Sequence, residues 1–199
     1  MNTDISIAIL AGGESKRFGK DKLSLLFEGK TFLENLVGKL KEFSDDIIII
    51  GREYPGFPYC KDAYDTRASI VGIYTALECA KNDYVFVVAG DLPLLSKELV
   101  RFLIENISSE YDIIVPMVRG YYEPLVAIYS KRIKELIRRR IVSGNFKVSD
   151  IFKEGRISVI EEAQIREIDE DMLSFFNVNT IDDYRYLIEN FEKIKNSAK

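Results

Sequence analysis

Histidine is missing altogether from the 199 residues. Every mechanism built on an imidazole base, nucleophile or metal ligand is thereby excluded. Cysteine is scarce: Cys60 and Cys79 are the only two, too few for a zinc site in a chain without histidine. The pair is expected as reduced thiols, although two cysteines can always be bridged. A basic excess is missing too. Twenty-eight basic against 32 acidic residues leave a net charge of −4, the wrong sign for broad binding to nucleic-acid backbone. One local basic pocket for a phosphate ligand remains open. No apolar run approaches the roughly 18 residues that a membrane span needs. The opening MNTDISIAIL lacks the basic n-region of a signal peptide. A cytoplasmic chain with neither membrane nor nucleic acid as partner is expected. Linkers, internal repeats and low-complexity segments are absent as well, so one domain is the simplest account.

What is present is a globular mixture, 47% hydrophobic and 30% charged. It is enough to bury a core and too apolar for a disordered chain. Ile5–Leu10 is a short apolar run ending in Ala11-Gly12-Gly13, the pattern of a buried parallel strand running into a glycine turn. Thr31-Phe32-Leu33-Glu34 is a capping-box signature, and apolar spacing carries the helix to about Phe43. The four isoleucines Ile47–Ile50 form a second buried strand. Residues 51–68, with Pro55 and Pro58, read as loop; Ser69 is expected to cap the next helix. Tyr84–Ala89 is a third apolar strand, and Ser96 caps the helix after it. This β-α-β-α-β-α order predicts an α/β fold, a three-layer, doubly wound, mostly parallel sheet. The second half is less regular. It offers strands at Asp112–Val118, Leu125–Tyr129 and Ile157–Ile160, and a helix over Lys131–Ile141. A last helix is capped by Thr180 and turns Tyr184, Leu187, Ile188 and Phe191 inward.

Chemistry concentrates after the first strand. In open α/β sheets ligands collect at the carboxyl ends of strands. Gly12 and Gly13 let backbone approach a ligand closely, and their amides can cradle phosphate oxygens. Lys16, Arg17, Lys20 and Lys22 follow at once. The segment is not a P-loop: five residues separate Gly13 from Gly19, and Asp21 rather than Ser or Thr follows Lys20. Nor does it contain G-x-G-x-x-G. Polyphosphate binding is one reading; a surface turn with solvated lysines is the other. A second feature is Gly90-Asp91-Leu92-Pro93, just past the third strand. Asp91 either opens a turn or holds Mg²⁺ against the ligand's phosphates. If the first and third strands are neighbours, it lies beside the glycine loop.

Together these residues resemble the molybdenum cofactor guanylyltransferases, the MobA family, within the nucleotidyltransferase superfamily. The family motif L-A-G-G-x-S-x-R-M-G-x-D-K is matched from Leu10 to Lys22, with Phe18 in place of methionine. A strand followed by x-D-x-P is matched at Gly90–Pro93, where members often carry cysteine at the Gly90 position. F-x-N-[VI]-N-T is matched at Phe175–Thr180. Where members show G-P-L-x-G this chain has Ala68-Ser69-Ile70-Val71-Gly72, keeping the second glycine.

The resemblance implies a nucleotide-diphospho-sugar-transferase-like fold, with residues 1–108 as the nucleotide-binding half and 109–199 as the acceptor-binding half. It implies transfer of GMP from GTP to molybdopterin, giving the guanine dinucleotide cofactor and pyrophosphate. Backbone of Leu10, Ala11, Gly12 and Gly13 would meet the nucleotide, Arg17 and Lys22 the phosphates, and Asp91 the Mg²⁺. Arg17, Lys22 and Asp91 are thus the catalytic candidates. A further nucleotide-binding aspartate is expected at Asp62 or Asp65; Asp62 is favoured because it follows the short apolar segment Pro58-Tyr59-Cys60. Asn177 and Asn179 would lie toward the pterin. A monomer is expected, in transient contact with molybdopterin-delivering and molybdoenzyme-maturation proteins. Two other readings share the plan: a nucleotidyltransferase with another base or acceptor, and a non-catalytic GTP-binding adaptor.

Overall fold

The computed structural model describes residues 4–12 and 22–197. The expected alternation forms as β1 (Ile5–Leu10), α1 (Phe32–Leu40), β4 (Ile47–Ile50), α2 (Ser69–Cys79), β6 (Tyr84–Ala89) and α3 (Lys97–Glu105). Between the first two stands a small hairpin, β2 (Leu26–Phe27) and β3 (Lys30–Thr31); β5 (Tyr59–Cys60) precedes α2. The second half adds β7 (Ile113–Val118), β8 (Tyr121–Tyr122), β9 (Val126–Ser130), α4 (Lys134–Val142), β10 (Ile157–Ile160), α5 (Glu162–Arg166) and α6 (Ile181–Ser197).

The main sheet runs β10-β7-β9-β6-β1-β4-β5, with β8 paired to β7. β1 lies between β4 and β6 and is parallel to both. The chain therefore winds outward in both directions from β1, and the switch point falls between β1 and β6, where such sheets bind ligands. β9 runs against both of its neighbours, so the sheet is mixed but mostly parallel. Its central strands are almost wholly apolar because both faces are covered; the exception in β1 is buried Ser6, whose hydroxyl donates to Asp46 Oδ2 at 2.6 Å. Ile5, Ile7, Ile9, Phe86 and Val88 pack on one face, against Leu33, Leu36 and Leu40 of α1 and Leu99 and Leu103 of α3. Ala8, Val85 and Val87 pack on the other, against Ile70, Ile73 and Leu77 of α2 and Ile137 and Ile141 of α4. The period-2 alternation of a strand thus feeds two cores at once. A third cluster joins Phe27 and Phe32 to Val178 and Leu187, and so ties α6 to the front of the sheet.

Capping follows the sequence at three of four helices. The Thr31 hydroxyl accepts from the Glu34 amide at 3.1 Å, and the Glu34 carboxylate accepts from the Thr31 amide at 2.7 Å. Ser96 caps α3 through the Leu99 amide at 3.0 Å, and Thr180 caps α6 through the Asp183 amide at 3.1 Å. Ser69 departs from its expected role. It is the first residue of α2, and extended Ala68 holds the N-cap position with no side-chain bond. Four smaller expectations are corrected. Helix α1 stops at Leu40, not Phe43. The 51–68 loop contains β5, paired to β4. The turn over Lys131–Ile133 is a 3₁₀ helix before α4 begins. Ile188 is exposed, because Tyr184, Leu187 and Phe191 already complete the inward stripe of α6.

The reduced thiols expected of Cys60 and Cys79 are also corrected: the two form a disulfide. Cys60 ends β5 and Cys79 ends α2, and the packing of α2 over this edge of the sheet brings their Cα atoms to 6.7 Å, within bridging range.

Candidate active site

The carboxyl ends of β1, β4, β5 and β6 open into a cleft of about 1320 Å³, lined among others by Gly12, Lys22, Asp62, Asp91, Glu123 and Asn179. It exceeds the roughly 300–1,000 Å³ of sites that take one small molecule, so two substrates can lie in it together.

Parallel pairing of Leu10 with Ala89 puts the Gly12 turn and Asp91 side by side, as the neighbouring-strand argument requires. The Gly90 amide donates to the Leu10 carbonyl at 3.1 Å, and the Ala11 amide to the Ile50 carbonyl at 2.9 Å. The sheet therefore takes up those groups of Leu10 and Ala11, and Gly12 lines the cleft beyond them. A Cβ at Gly90 would collide with the Leu23 side chain, so glycine here lets the segment carrying Lys22 close over the strand. Arg17 and Gly13 lie outside the described residues.

Lys22 is the hub of the cleft. Its Nζ stands 3.6 Å from Asp91 Oδ2 and donates to Asn179 Oδ1 at 2.9 Å. The Val178 amide donates to the Asp91 carbonyl at 3.0 Å, and the Asp183 carboxylate accepts from the Asn179 amide at 2.9 Å. Two segments nearly ninety residues apart are thus bound into one wall of the cleft. Burial raises the pKa of Asp91, and the charge of Lys22 works against that rise.

Asp62 sits at the other end. It follows β5, and its Oδ2 lies 3.4 Å from where a Cβ on Gly12 would stand and 2.9 Å from one on Gly51. Gly51 has φ +88°, a left-handed turn that suits glycine. The absence of a side chain at position 51 is what admits the carboxylate to this corner, where burial raises its pKa. Asp65 is exposed and does not line the cleft. Asn177 and Asn179 both line it, on the Asp91 side.

The sequence reading missed Glu123, Pro124 and Leu125, which also line the cleft. They precede β9, and because β9 runs backwards, its beginning lies at the same edge as the ends of the parallel strands. The Ala89 amide donates to the Leu125 carbonyl at 2.9 Å, one residue from the Gly90-Asp91 turn. No residue type in this stretch signals a site; only the strand's direction does. Arg52 and Arg67 add positive charge to the lining.

A glycine at the switch point of the sheet, a lysine paired to a half-buried aspartate, and a cleft with room for two substrates are the features of a nucleotidyltransferase. Comparison with known proteins identifies the branch. The MobA-like NTP transferase domain matches residues 7–159, and the chain belongs to that family. It is 34% identical to the probable molybdenum cofactor guanylyltransferase of Natranaerobius thermophilus, over 92% of this chain and 94% of that one. It is likewise 34% identical to the molybdenum cofactor guanylyltransferase of Desulfosudis oleivorans, over 86% and 88%. Its fold matches the crystal structure of the molybdopterin-guanine dinucleotide biosynthesis protein A of Archaeoglobus fulgidus with a TM-score of 0.82, at 26% identity, covering 94% of this chain and 99% of that one.

Proposed function

We propose that the protein transfers GMP from GTP to the terminal phosphate of molybdopterin, giving the guanine dinucleotide form of the cofactor and pyrophosphate. The observation that carries this reading is the Asp91–Lys22–Asn179 chain, joining the nucleotide loop to the F-x-N-V-N segment within a two-substrate cleft. Similarity to the named guanylyltransferases over most of the chain supplies the substrate class.

GTP is assigned to the β1–β4–β5 side, with its phosphates over Gly12 and its nucleoside toward Asp62. Molybdopterin is assigned to the β6–β9 side, with Asn177 and Asn179 beside it. An oxygen of the acceptor phosphate attacks the α-phosphorus of GTP. A new P–O bond forms, the bond to the bridging oxygen breaks, and pyrophosphate leaves. The acceptor is ionised at neutral pH and needs no strong base, which suits a chain without histidine. The obstacle is repulsion between two polyanions. Lys22 and Arg17 lower it and stabilise charge passing to the leaving group. Gly12 fixes the α-phosphate for in-line approach.

Among the described residues no cluster of three or more His, Cys, Asp or Glu side chains could by itself hold a metal ion. Asp91 would hold Mg²⁺, which takes one or two carboxylates and draws its other ligands from water and substrate phosphates. Such an ion supplies further charge neutralisation on the triphosphate.

The test is incubation with Mg-GTP and molybdopterin, with mass detection of the dinucleotide and a coupled pyrophosphate assay. GTP is expected to outcompete CTP, ATP and UTP. Product from CTP in preference to GTP, or GTP binding without pyrophosphate release, overturns the reading.

A further inference from the structure

Glu123 is half-buried in the cleft wall, and nothing in the reaction as described uses it. Its position is fixed from three directions. Its amide donates to the Pro116 carbonyl at 2.9 Å, and its carbonyl accepts from the Val126 amide at 3.1 Å. The hydroxyl of fully buried Tyr129 donates to the next carbonyl, that of Pro124, at 2.8 Å. So hydrogen bonds fix the turn where Glu123 lines the cleft. Among the described residues no cation pairs with that carboxyl, and burial raises its pKa. A carboxylate withdrawn from water without a partner is costly. A ligand that brings hydrogen-bond donors relieves the cost.

The sheet tells which ligand. β9 and β5 are separated by β6, β1 and β4, about 19 Å at the usual strand spacing. Asp62 stands at the β5 end, Asp91 and Lys22 in the middle, and Glu123 at the β9 end. Phosphoryl chemistry at the centre leaves one flat head group for each end. Guanine and a pterin present the same edge, a ring N–H beside an exocyclic amino group. That edge matches the two oxygens of a carboxylate. We propose that Glu123 is the specificity-determining residue for the acceptor, receiving hydrogen bonds from the 2-amino and ring N–H groups of the pterin. The assignment rests on the two-substrate reading above.

The test uses a pterin bearing a phosphomonoester side chain and its 2,4-dioxo counterpart, in which a carbonyl replaces the amino group. Binding to protein loaded with Mg²⁺ and a non-hydrolysable GTP analogue is followed by quenching of pteridine fluorescence. Wild type is expected to prefer the pterin ester by about tenfold, since a carboxylate attracts the amino group and repels the carbonyl. Glu123→Gln should bind the two esters alike, with the affinity for the GTP analogue changed by less than about twofold. Glu123→Asp should keep part of the preference. If Glu123→Gln retains the full preference, or loses nucleotide affinity as much as pterin affinity, the assignment is wrong. Wild type that binds the nucleotide and neither ester overturns the acceptor reading itself. That outcome is distinct from failure of Glu123 alone, in which wild type still discriminates and the variant does so equally.

Discussion

The Cys60–Cys79 bridge closes a loop with a sequence separation of 19, and its removal has a calculable effect. A cross-link stabilises chiefly by denying the unfolded chain its open conformations, and for a loop of this length the loss is about 3 kcal/mol. That is a change of about 150-fold in the folding equilibrium. With a urea slope of about 2 kcal/mol/M, within the range usual for small proteins, the unfolding midpoint should fall by about 1.5 M. The loop contains Asp62 and all of α2, so the bridge also ties the Asp62 corner of the cleft to the end of that helix.

Two perturbations separate the cross-link from the side chains. Reduction of the wild type with a phosphine breaks the bond and leaves both sulfurs in place. The double variant Cys60→Ser/Cys79→Ser changes the atoms as well. Urea denaturation followed by far-UV circular dichroism should give nearly the same midpoint for both, well below that of the oxidised protein. A free-thiol titration fixes the redox state of each sample. Equal midpoints for oxidised and fully reduced wild type would refute the entropic argument. A lower midpoint for the serine variant alone would place the effect in side-chain packing.

Three further outcomes follow from the geometry. Asp91→Asn should lower kcat at least about 100-fold and raise the Mg²⁺ requirement; most of the wild-type rate at limiting Mg²⁺ would remove Asp91 from the metal's ligands. Gly51→Ala places a methyl 2.9 Å from Asp62 Oδ2 in a residue with φ +88°, so about 1–3 kcal/mol of stability and part of the GTP affinity should go, and an unchanged melt with unchanged calorimetric affinity contradicts this. Asp112 accepts from Arg156 and from Arg132, each at 2.9 Å, and these hold its pKa down to about 2. A depressed carboxylate stabilises above its unfolded pKa and loses that contribution as the pH falls. The gap between wild type and Asp112→Asn in urea denaturation should therefore narrow by about 2 kcal/mol from pH 6 to pH 2. The cleft carboxylates Asp62, Asp91 and Glu123, whose pKa values are raised, pull the other way in both proteins and cancel in the comparison.

How much of this could be read from residues alone depends on whether one strand or several decide the matter. Ile5–Leu10, Ile47–Ile50 and Tyr84–Ala89 are legible to the residue, because a strand covered on both faces leaves few polar positions to blur it, Ser6 in β1 being one. Asp91 beside Gly12 is legible because a doubly wound sheet that starts at β1 sets its neighbours on either side. Where a partner decides, the sequence falls silent. Tyr59–Cys60 is too short to declare itself as a strand; its apolar character favours Asp62 over Asp65, but only with β5 paired to β4 is Asp62 seen to line the cleft and Asp65 to lie outside it. Glu162–Arg166 is a five-residue polar helix, with too few apolar positions to show a period. The disulfide depends on how α2 crosses β5, which no spacing of two cysteines contains.

The reversal of β9 is the most consequential of these silences. In a wholly parallel sheet every loop at the ligand edge follows a strand, so a search of the stretches after apolar runs finds the whole site. Here β9 pairs antiparallel with β6 from Val126 to Ser130, and the loop before it arrives at that edge instead. The half of the cleft around Gly12, Asp62 and Asp91 is made by segments that follow strands and is visible in sequence. Opposite it, Glu123 and Pro124 precede a strand and are invisible until its direction is known. One reversed strand, set next to β6, both brings a further loop to the cleft and conceals the residues of that loop that line it.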